Sequence, residues 1–162
     1  MRDQLGKKFG SDEMKGRISI VSFFFTRCQG ICPMVVGNLL KVQKELGPEA
    51  MMVSFSVTPD LDTPTKLLEY SREKQIQPEK WRLITGDRTA IYRLARESLN
   101  ADTFSERENA RTKLDGDDFL HSENIYLLDS SLRLRGVYSG KMSASMLDLL
   151  RDLEQLKKER NG

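Results

Sequence analysis

The sequence predicts an α/β domain in which helices cover both faces of a mixed central sheet. Strand-like and helix-like segments alternate from residue 18 to residue 99, and the chain closes with two strands and one helix. Alternation of this kind gives parallel strands, whereas a terminal hairpin adds antiparallel ones. The 162 residues are enough to bury one full core, so we expect a single domain over residues 1–162.

Five apolar segments predict the strands of this sheet. They span residues 18–26, 51–57, 81–85, 123–129 and 132–139. The first, ISIVSFFFT, is apolar at nearly every position, as expected of a strand that is buried on both faces. Asp129-Ser130-Ser131 is predicted to link the last two strands into a hairpin. Met51 and Met52 lie in the second strand and are interpreted as core residues rather than metal ligands.

Proline positions and apolar spacing predict four helices. They span residues 33–46, 63–74, 88–99 and 143–160. Pro33 and Pro64 each lie at a predicted helix start, where proline is well tolerated. Residues 100–118, in contrast, are polar and charged with almost no core-forming spacing, so we interpret them as an exposed insertion or mobile loop.

The composition excludes several classes of function. The chain has 26 basic and 24 acidic residues spread along its length, and its net charge is +2. Without a basic stripe interleaved with aromatic residues, nucleic acid is not an expected partner. No apolar run reaches the roughly 18 residues that span a membrane, and the polar start lacks the apolar core of a signal peptide. We expect either a cytoplasmic protein or one whose leader or anchor lies outside this chain.

The segment TRCQGICP, residues 26–33, carries both cysteines of the chain, directly between the first strand and the first helix. Thioredoxins share this order of elements and place a cysteine pair at this point, with one residue fewer between the cysteines. The helix dipole and Arg27 are expected to favour thiolates at Cys28 and Cys32. The pair can form a disulfide or hold a metal ion between its sulfurs. The alternative of two packed, inert thiols also stays open.

A metal ion would need a third ligand, and the single histidine of the chain is His121, in FLHSENIYLLD. It precedes the strand predicted from residue 123, at the edge that faces the cysteine loop in a thioredoxin fold. A lone histidine is more often a surface or packed residue, but a position opposite a dithiol favours a ligand. Two thiolates and one imidazole suit Cu(I), or Cu(II) with a further weak ligand, whereas structural zinc normally takes four protein ligands.

Four motifs resemble those of the Sco/SenC family, the copper-delivery proteins for cytochrome c oxidase. They are, in order, FFFTRCQGICPMV, SVTPDLDTP, WRLITGD and HSENIYLLDSSLRLRGVY. The family pattern is a CxxxCP loop after an apolar strand, S-V-D-P-x-x-D-T-P, W-x-x-L-T-G and a D-H-S/T strand entry. The match covers about residues 5–155, and the combination of CxxxCP with the histidine is specific.

The resemblance implies that Cys28, Cys32 and His121 bind copper. It implies as partner the CuA-bearing subunit of cytochrome c oxidase or another copper chaperone. It also implies a location at the periplasmic face of the bacterial inner membrane or in the mitochondrial intermembrane space, through an N-terminal anchor that is absent from this chain. The family's first N-terminal strand is expected to be absent too, and we expect a monomer.

The chain departs from the family pattern at two acidic positions. Thr58 replaces the acidic residue of the first loop, and Leu120 replaces the one before the histidine. Four acidic residues lie nearby without occupying these positions: Asp60, Asp62, Asp117 and Asp118. Because the three presumed ligands are retained, we expect changes in partner docking, redox tuning or Cu(II) stability rather than loss of copper binding. Packing of Leu120 in place of a polar contact is the simpler alternative.

Enzymatic functions are the alternatives to a copper carrier. In a thiol–disulfide oxidoreductase, Cys28 or Cys32 attacks a partner's disulfide and the other thiol resolves the mixed disulfide. Such an activity could reduce the CuA cysteines before copper arrives. The wider loop and the histidine argue against a general reductase. A peroxidase is disfavoured because neither the Pro/Thr pattern of peroxiredoxins nor the Gln/Trp pattern of glutathione peroxidases surrounds Cys28.

Overall fold

A computed structural model describes residues 1–30, 32–99 and 123–161. Within these ranges six strands form one sheet. The strands are β1 (Arg2–Asp3), β2 (Ile18–Phe24), β3 (Ala50–Ser56), β4 (Trp81–Thr85), β5 (Asn124–Leu128) and β6 (Leu134–Ser139). The helices are α1 (Cys32–Glu45), α2 (Pro64–Glu73), α3 (Arg88–Arg93) and α4 (Ser143–Asn161), with a short 3-10 helix at Ser11–Glu13. The predicted α/β class and order of elements are confirmed.

The sheet is mixed, with the spatial order β1-β4-β3-β2-β5-β6. Strands β2, β3 and β4 are parallel, β5 is antiparallel to β2, and β6 is antiparallel to β5. Strands β2, β3, β4 and β6 therefore end at the same edge of the sheet, and β5 begins there. We call this the cysteine edge, because the loop with both cysteines leaves β2 at this point.

Helices cover both faces of the sheet, as the apolar first strand predicts. All seven residues of β2 are buried. Ile18 and Ile20 pack in the cluster that includes residues of α1, α2 and α4, whereas Val21 and Phe23 pack in the opposite cluster with residues of α3. Covering both faces explains why the strand is apolar at successive positions instead of alternating. Met51 and Met52 are buried in these two clusters, which confirms them as core residues.

The helix boundaries follow local capping chemistry. Thr63 caps α2 by accepting a hydrogen bond from the backbone N–H of Lys66, and Pro64 occupies the first turn. Asp87 caps α3 in the same way through Ala90. The helix predicted over residues 88–99 is α-helical only to Arg93, and a π-helical turn, Leu94–Ser98, continues it. The predicted insertion at residues 100–118 lies outside the described residues.

The polar start of the chain predicts no strand, yet β1 pairs antiparallel with β4 at one end of the sheet. Polar side chains hold it there. The Gln4 amide donates to the carbonyl of Trp81 and accepts from the backbone N–H of Leu83, and buried Asp3 forms an ion pair with Arg82. Apolar periodicity cannot detect such an element.

The link between β5 and β6 is longer than predicted. It covers residues 129–133, since β5 ends at Leu128 and β6 begins at Leu134. The Asp129 carboxylate accepts hydrogen bonds from the backbone N–H groups of Ser131 and Arg133. A backbone hydrogen bond from the N–H of Asp129 to the carbonyl of Arg133, at 3.0 Å, also joins the two sides of the link. In the described part of the chain, no helix has both the length and the apolar character needed to cross a membrane.

Candidate metal centre

Both cysteines lie at the cysteine edge, as the sequence predicts. Cys28 is partly buried in the cysteine loop, which we define as residues 25–30. Cys32 is the first residue of α1 and is 9% exposed. The helix thus begins one residue before the predicted Pro33. Both cysteines are free thiols.

The two thiols interact, and the interaction affects the acidity of Cys32. Burial, followed by a hydrogen bond with Cys28 and the charge of Cys28, raises the pKa of the Cys32 thiol to about 12. Hydrogen bonds with the backbone of Phe25 and of Cys32 itself lower the pKa, but their effect is smaller. The thiolate predicted at Cys32 is therefore wrong for the metal-free dithiol, because burial outweighs the helix N-terminus. Arg27 is exposed, so water screens its charge.

Cys32 packs against a mostly apolar wall. It lines a cavity of about 20 Å³ together with side chains of β2, β3, α1, α2 and β4. The two serines and the tryptophan at this cavity are hydrogen-bonded to one another. Ser22 Oγ and Ser54 Oγ are hydrogen-bonded at 2.6 Å, and Trp81 Nε1 donates to Ser54 Oγ at 2.8 Å. Cys32 thus lies against closely packed side chains, and the serines and the tryptophan among them hydrogen-bond with one another.

Tyr70 of α2 is a neighbour of the dithiol that the sequence did not reveal. Its ring packs against Phe24 with the centroids 5.7 Å apart, and the residue is 9% exposed. Burial raises the pKa of Tyr70 above its usual value, and the charges of Cys32, Glu73 and Cys28 act in the same direction. Tyr70 therefore stays a neutral phenol beside the cysteines. The spacing of apolar residues in α2 does not predict that Tyr70 lies beside the cysteines.

A buried carboxylate, Asp62, connects the cysteine loop to the loop between β3 and α2. Asp62 is 1% exposed. Its Oδ1 accepts a hydrogen bond from Thr26 Oγ1 at 2.5 Å, and its Oδ2 accepts one from the backbone N–H of Thr26 at 3.3 Å. Ser56 Oγ and Thr58 Oγ1 donate to Oδ2 at 2.6 and 3.0 Å. Asp62 lies near the site in the sequence motifs, but no sequence pattern predicts these hydrogen bonds.

The first departure from the family pattern has a clear structural setting. Thr58 is 7% exposed, and its hydroxyl donates to Asp62. Its backbone N–H donates to Ser56 Oγ at 3.1 Å. Thr58 is thus one of the donors that satisfy the buried Asp62 carboxylate. Asp60 is exposed and lies 3.9 Å from Arg88, away from this cluster.

The predicted third ligand, His121, lies outside the described residues, as do Leu120, Asp117 and Asp118. Among residues 1–30, 32–99 and 123–161, no group of three or more His, Cys, Asp or Glu side chains could hold a metal ion. The described part of the chain therefore contains two of the three predicted ligands, Cys28 and Cys32. It also brings the start of β5, three residues after His121 in sequence, to the cysteine edge.

Comparison with known proteins identifies the relationship. The profile of the family described as SCO1/SenC matches residues 1–157. The chain belongs to the SCO1/SenC family. A SCO2-like protein of Rickettsia conorii is 30% identical over 160 residues, which cover 93% of this chain and 72% of the relative. The resemblance seen in the sequence motifs is thereby confirmed.

Solved structures of SCO1/SenC proteins share the fold of this chain. A SCO1/SenC family lipoprotein from Bacillus anthracis superposes with a TM-score of 0.77 at 29% identity, covering 96% of this chain and 90% of that protein. BsSco, described as a member of the Sco family of cytochrome c oxidase assembly proteins, superposes with a TM-score of 0.77 at 24% identity. The match covers 96% of this chain and 88% of BsSco. Arabidopsis thaliana ScoI with copper bound superposes with a TM-score of 0.67 at 25% identity, and the match covers 99% of this chain and 95% of that protein. The SCO1/SenC chain has the predicted thioredoxin-like fold.

Proposed function

We propose that this chain is a copper metallochaperone that delivers copper to the CuA site of cytochrome c oxidase. The observation that carries the proposal is a pair of interacting free thiols, Cys28 and Cys32, at the cysteine edge of a SCO1/SenC chain. Closely placed thiolates favour Cu(I) or zinc over hard cations. The Arabidopsis relative with copper bound makes copper the favoured ion.

His121 is the proposed third ligand. It precedes the first residue of β5, Asn124, by three positions, and β5 begins at the cysteine edge. Three residues span at most about 11 Å of extended chain, so this position in the sequence is compatible with a ligand at the cysteine edge. Two thiolates and an imidazole complete a three-coordinate site for Cu(I), and Cu(II) would need an additional weak ligand.

Copper transfer by ligand exchange explains why a dithiol would serve a carrier. Binding of Cu(I) releases the proton of Cys32, whose pKa of about 12 keeps the metal-free thiol protonated. An acceptor's thiolates then displace Cys28, Cys32 and His121 in turn, and each released thiol can take up a proton again. No change of oxidation state is needed.

The proposed partner is the CuA-bearing oxidase subunit or another copper chaperone, and the proposed carrier is a monomer. BsSco is described as belonging to a family of oxidase assembly proteins. The Bacillus anthracis relative is a lipoprotein, which supports a position at a membrane surface. For this chain we propose the periplasmic face of the bacterial inner membrane or the mitochondrial intermembrane space.

An anaerobic Cu(I) titration of the reduced protein against a competing chelator tests the carrier. We expect one Cu(I) per chain and a clear loss of affinity in His121→Ala. Glu123→Gln, two positions further along the chain and outside the family's D-H-S/T pattern, is the matched control and should bind like the unmodified protein. Absence of stoichiometric binding would overturn the carrier. Equal affinity in His121→Ala and Glu123→Gln would remove His121 from the site.

Thiol–disulfide exchange is a second candidate, favoured by the unequal exposure of the two cysteines. Partly buried Cys28 would attack a partner disulfide as a thiolate, which forms a mixed disulfide and releases one partner thiolate. Cys32 would then lose its proton and attack Cys28, releasing the second partner thiolate and leaving a Cys28–Cys32 disulfide. In Cys32→Ser the mixed disulfide should accumulate, and mass spectrometry would detect it. If no mixed disulfide forms with an oxidised CuA-domain disulfide, this activity is excluded for that partner.

A further inference from the structure

The cysteine loop is anchored to the rest of the protein by its second residue, Thr26, rather than by Cys28. Thr26 reaches Asp62 through both its hydroxyl, at 2.5 Å, and its backbone N–H, at 3.3 Å. The backbone N–H of Cys28 donates to the carbonyl of Phe25 at 3.3 Å, which closes a turn around Thr26. Fixing Thr26 therefore fixes the turn that carries Cys28.

The other end of this contact is rigid. The Asp62 carboxylate is buried, and it also accepts hydrogen bonds from Ser56 Oγ and Thr58 Oγ1. The backbone N–H groups of Leu61 and Asp62 both donate to the carbonyl of Thr58 at 2.9 Å. Hydrogen bonds to an ionised carboxylate are stronger than neutral ones. Asp62 can thus transmit the position of the β3–α2 loop to the cysteine loop.

We propose that the Thr26–Asp62 pair is a positioning element that holds Cys28 next to Cys32. The proposal deepens the copper-carrier function and rests on it for the copper readout, but it concerns the dithiol itself. Cys32 is fixed by α1 and by the wall around it, so the distance between the sulfurs depends on where the loop holds Cys28. Loosening the loop lowers the effective concentration of one thiol at the other. Chelation of Cu(I) and formation of the Cys28–Cys32 disulfide should therefore both weaken.

Two matched variants separate positioning from stability. Thr26→Val keeps the shape of the side chain but removes the hydroxyl that joins the cysteine loop to Asp62. Ser56→Ala removes a hydroxyl that donates to the same carboxylate and leaves both Thr26 contacts in place. Thr26→Ser restores the donor and serves as the rescue variant.

The first readout is Cu(I) affinity, measured by chelator competition on the reduced proteins. We expect Thr26→Val to lose about tenfold in affinity, the low end of the effect seen when a group supporting a metal ligand is removed. Ser56→Ala should lose much less, although it removes a hydrogen bond from a more deeply buried position. Thr26→Ser should bind like the unmodified protein.

The second readout needs no copper. The equilibrium constant for forming the Cys28–Cys32 disulfide is measured against a glutathione buffer, in which two protein thiols are oxidised as one glutathione disulfide is reduced to two thiols. We expect this constant to fall several-fold in Thr26→Val and to stay near the original value in Ser56→Ala and Thr26→Ser. Equal changes in Thr26→Val and Ser56→Ala, or no change in Thr26→Val, would overturn the positioning role. If the unmodified protein takes up no copper, the carrier function fails and the disulfide constant alone decides the role of Thr26.

Discussion

Cys28 and Cys32 lie four positions apart, but the protein holds them in opposite ways. Cys32 opens α1 and is buried in a wall of core side chains, so packing determines its position. Cys28 lies in a loop that is attached to the β3–α2 loop by polar contacts, the two hydrogen bonds from Thr26 to Asp62. One sulfur is thus fixed by the hydrophobic core and the other by a buried carboxylate.

Because they are held in different ways, the two thiols respond to different perturbations. Changes in core packing or burial act on Cys32, whose acidity already reflects its surroundings. Changes at the contact between Thr26 and Asp62 act on the loop with Cys28. The position of one thiol can therefore be adjusted while the other stays fixed.

Thr58→Asp should have the largest effect because it places a second carboxylate beside Asp62. The Thr58 hydroxyl lies 3.0 Å from Asp62 Oδ2, and both residues are buried. Two buried carboxylates this close repel each other, and Asp62 also loses the hydroxyl that donates to it, so we expect a loss of about 3 kcal/mol in unfolding free energy at neutral pH. Urea denaturation at neutral pH measures this loss.

The sign of the pH dependence distinguishes charge from shape. The carboxyl is protonated in both folded and unfolded chains at low pH, so the penalty should vanish there and grow as pH rises above the ordinary carboxyl pKa. Thr58→Asn, which has the same size but no charge, should show a smaller loss that does not change with pH. Equal stability of the two variants at neutral pH would contradict the clustering of charge at Asp62.

Much of the fold could be predicted because its signals are local. Apolar runs predict β2 to β6, and Pro33 and Pro64 indicate helix starts within one residue of the observed ones. The cysteine edge follows from strand order, since parallel strands end together. Strand β1 could not be found in this way because Gln4 and Asp3, rather than apolar residues, attach it to β4.

The candidate site was less predictable because its supports are distant in sequence. Thr26 and Asp62 are 36 positions apart, and no local pattern indicates that one donates to the other. The prediction of a thiolate at Cys32 was wrong for a related reason. The helix dipole is a local property that the sequence reveals, whereas the burial that outweighs it depends on α2 and the sheet packing around the thiol.

Ser54→Ala should have a smaller effect, and it perturbs the packed side. Ser54 accepts from the indole N–H of Trp81 and is paired with Ser22, and all three residues are buried. Removing the hydroxyl leaves a buried indole donor without its acceptor, so we expect a loss of about 2 kcal/mol in unfolding free energy. Urea denaturation of the reduced protein measures it.

Ser19→Ala is the matched control for this variant. Ser19 lies on the same strand as Ser22, and its buried Oγ has no hydrogen-bond partner within the described part of the chain. Removing an unsatisfied hydroxyl should be neutral or stabilising. A loss in Ser19→Ala as large as that in Ser54→Ala would mean that the volume removed at a buried serine of the sheet, rather than the hydrogen bonds of Ser54, causes the loss.

The smallest expected effect concerns the acidity of the Cys32 thiol in the reduced, metal-free protein. Because the pKa of Cys32 is raised from 9.0 to about 12, its proton stays bound in the folded chain over a pH range in which the unfolded chain loses it. The contribution of Cys32 to stability is therefore complete below pH 9 and is lost as pH rises towards about 12.

Alkylation followed by mass spectrometry measures this acidity at the residue itself. The labelling rate of Cys32 should keep rising with pH beyond 9, and it should stay below that of the more exposed Cys28. Labelling in urea, where both thiols are exposed, provides the reference rates. If Cys32 reacted as fast as Cys28 in the folded protein, the packed wall would not protect it, and the contrast between the two thiols would be lost.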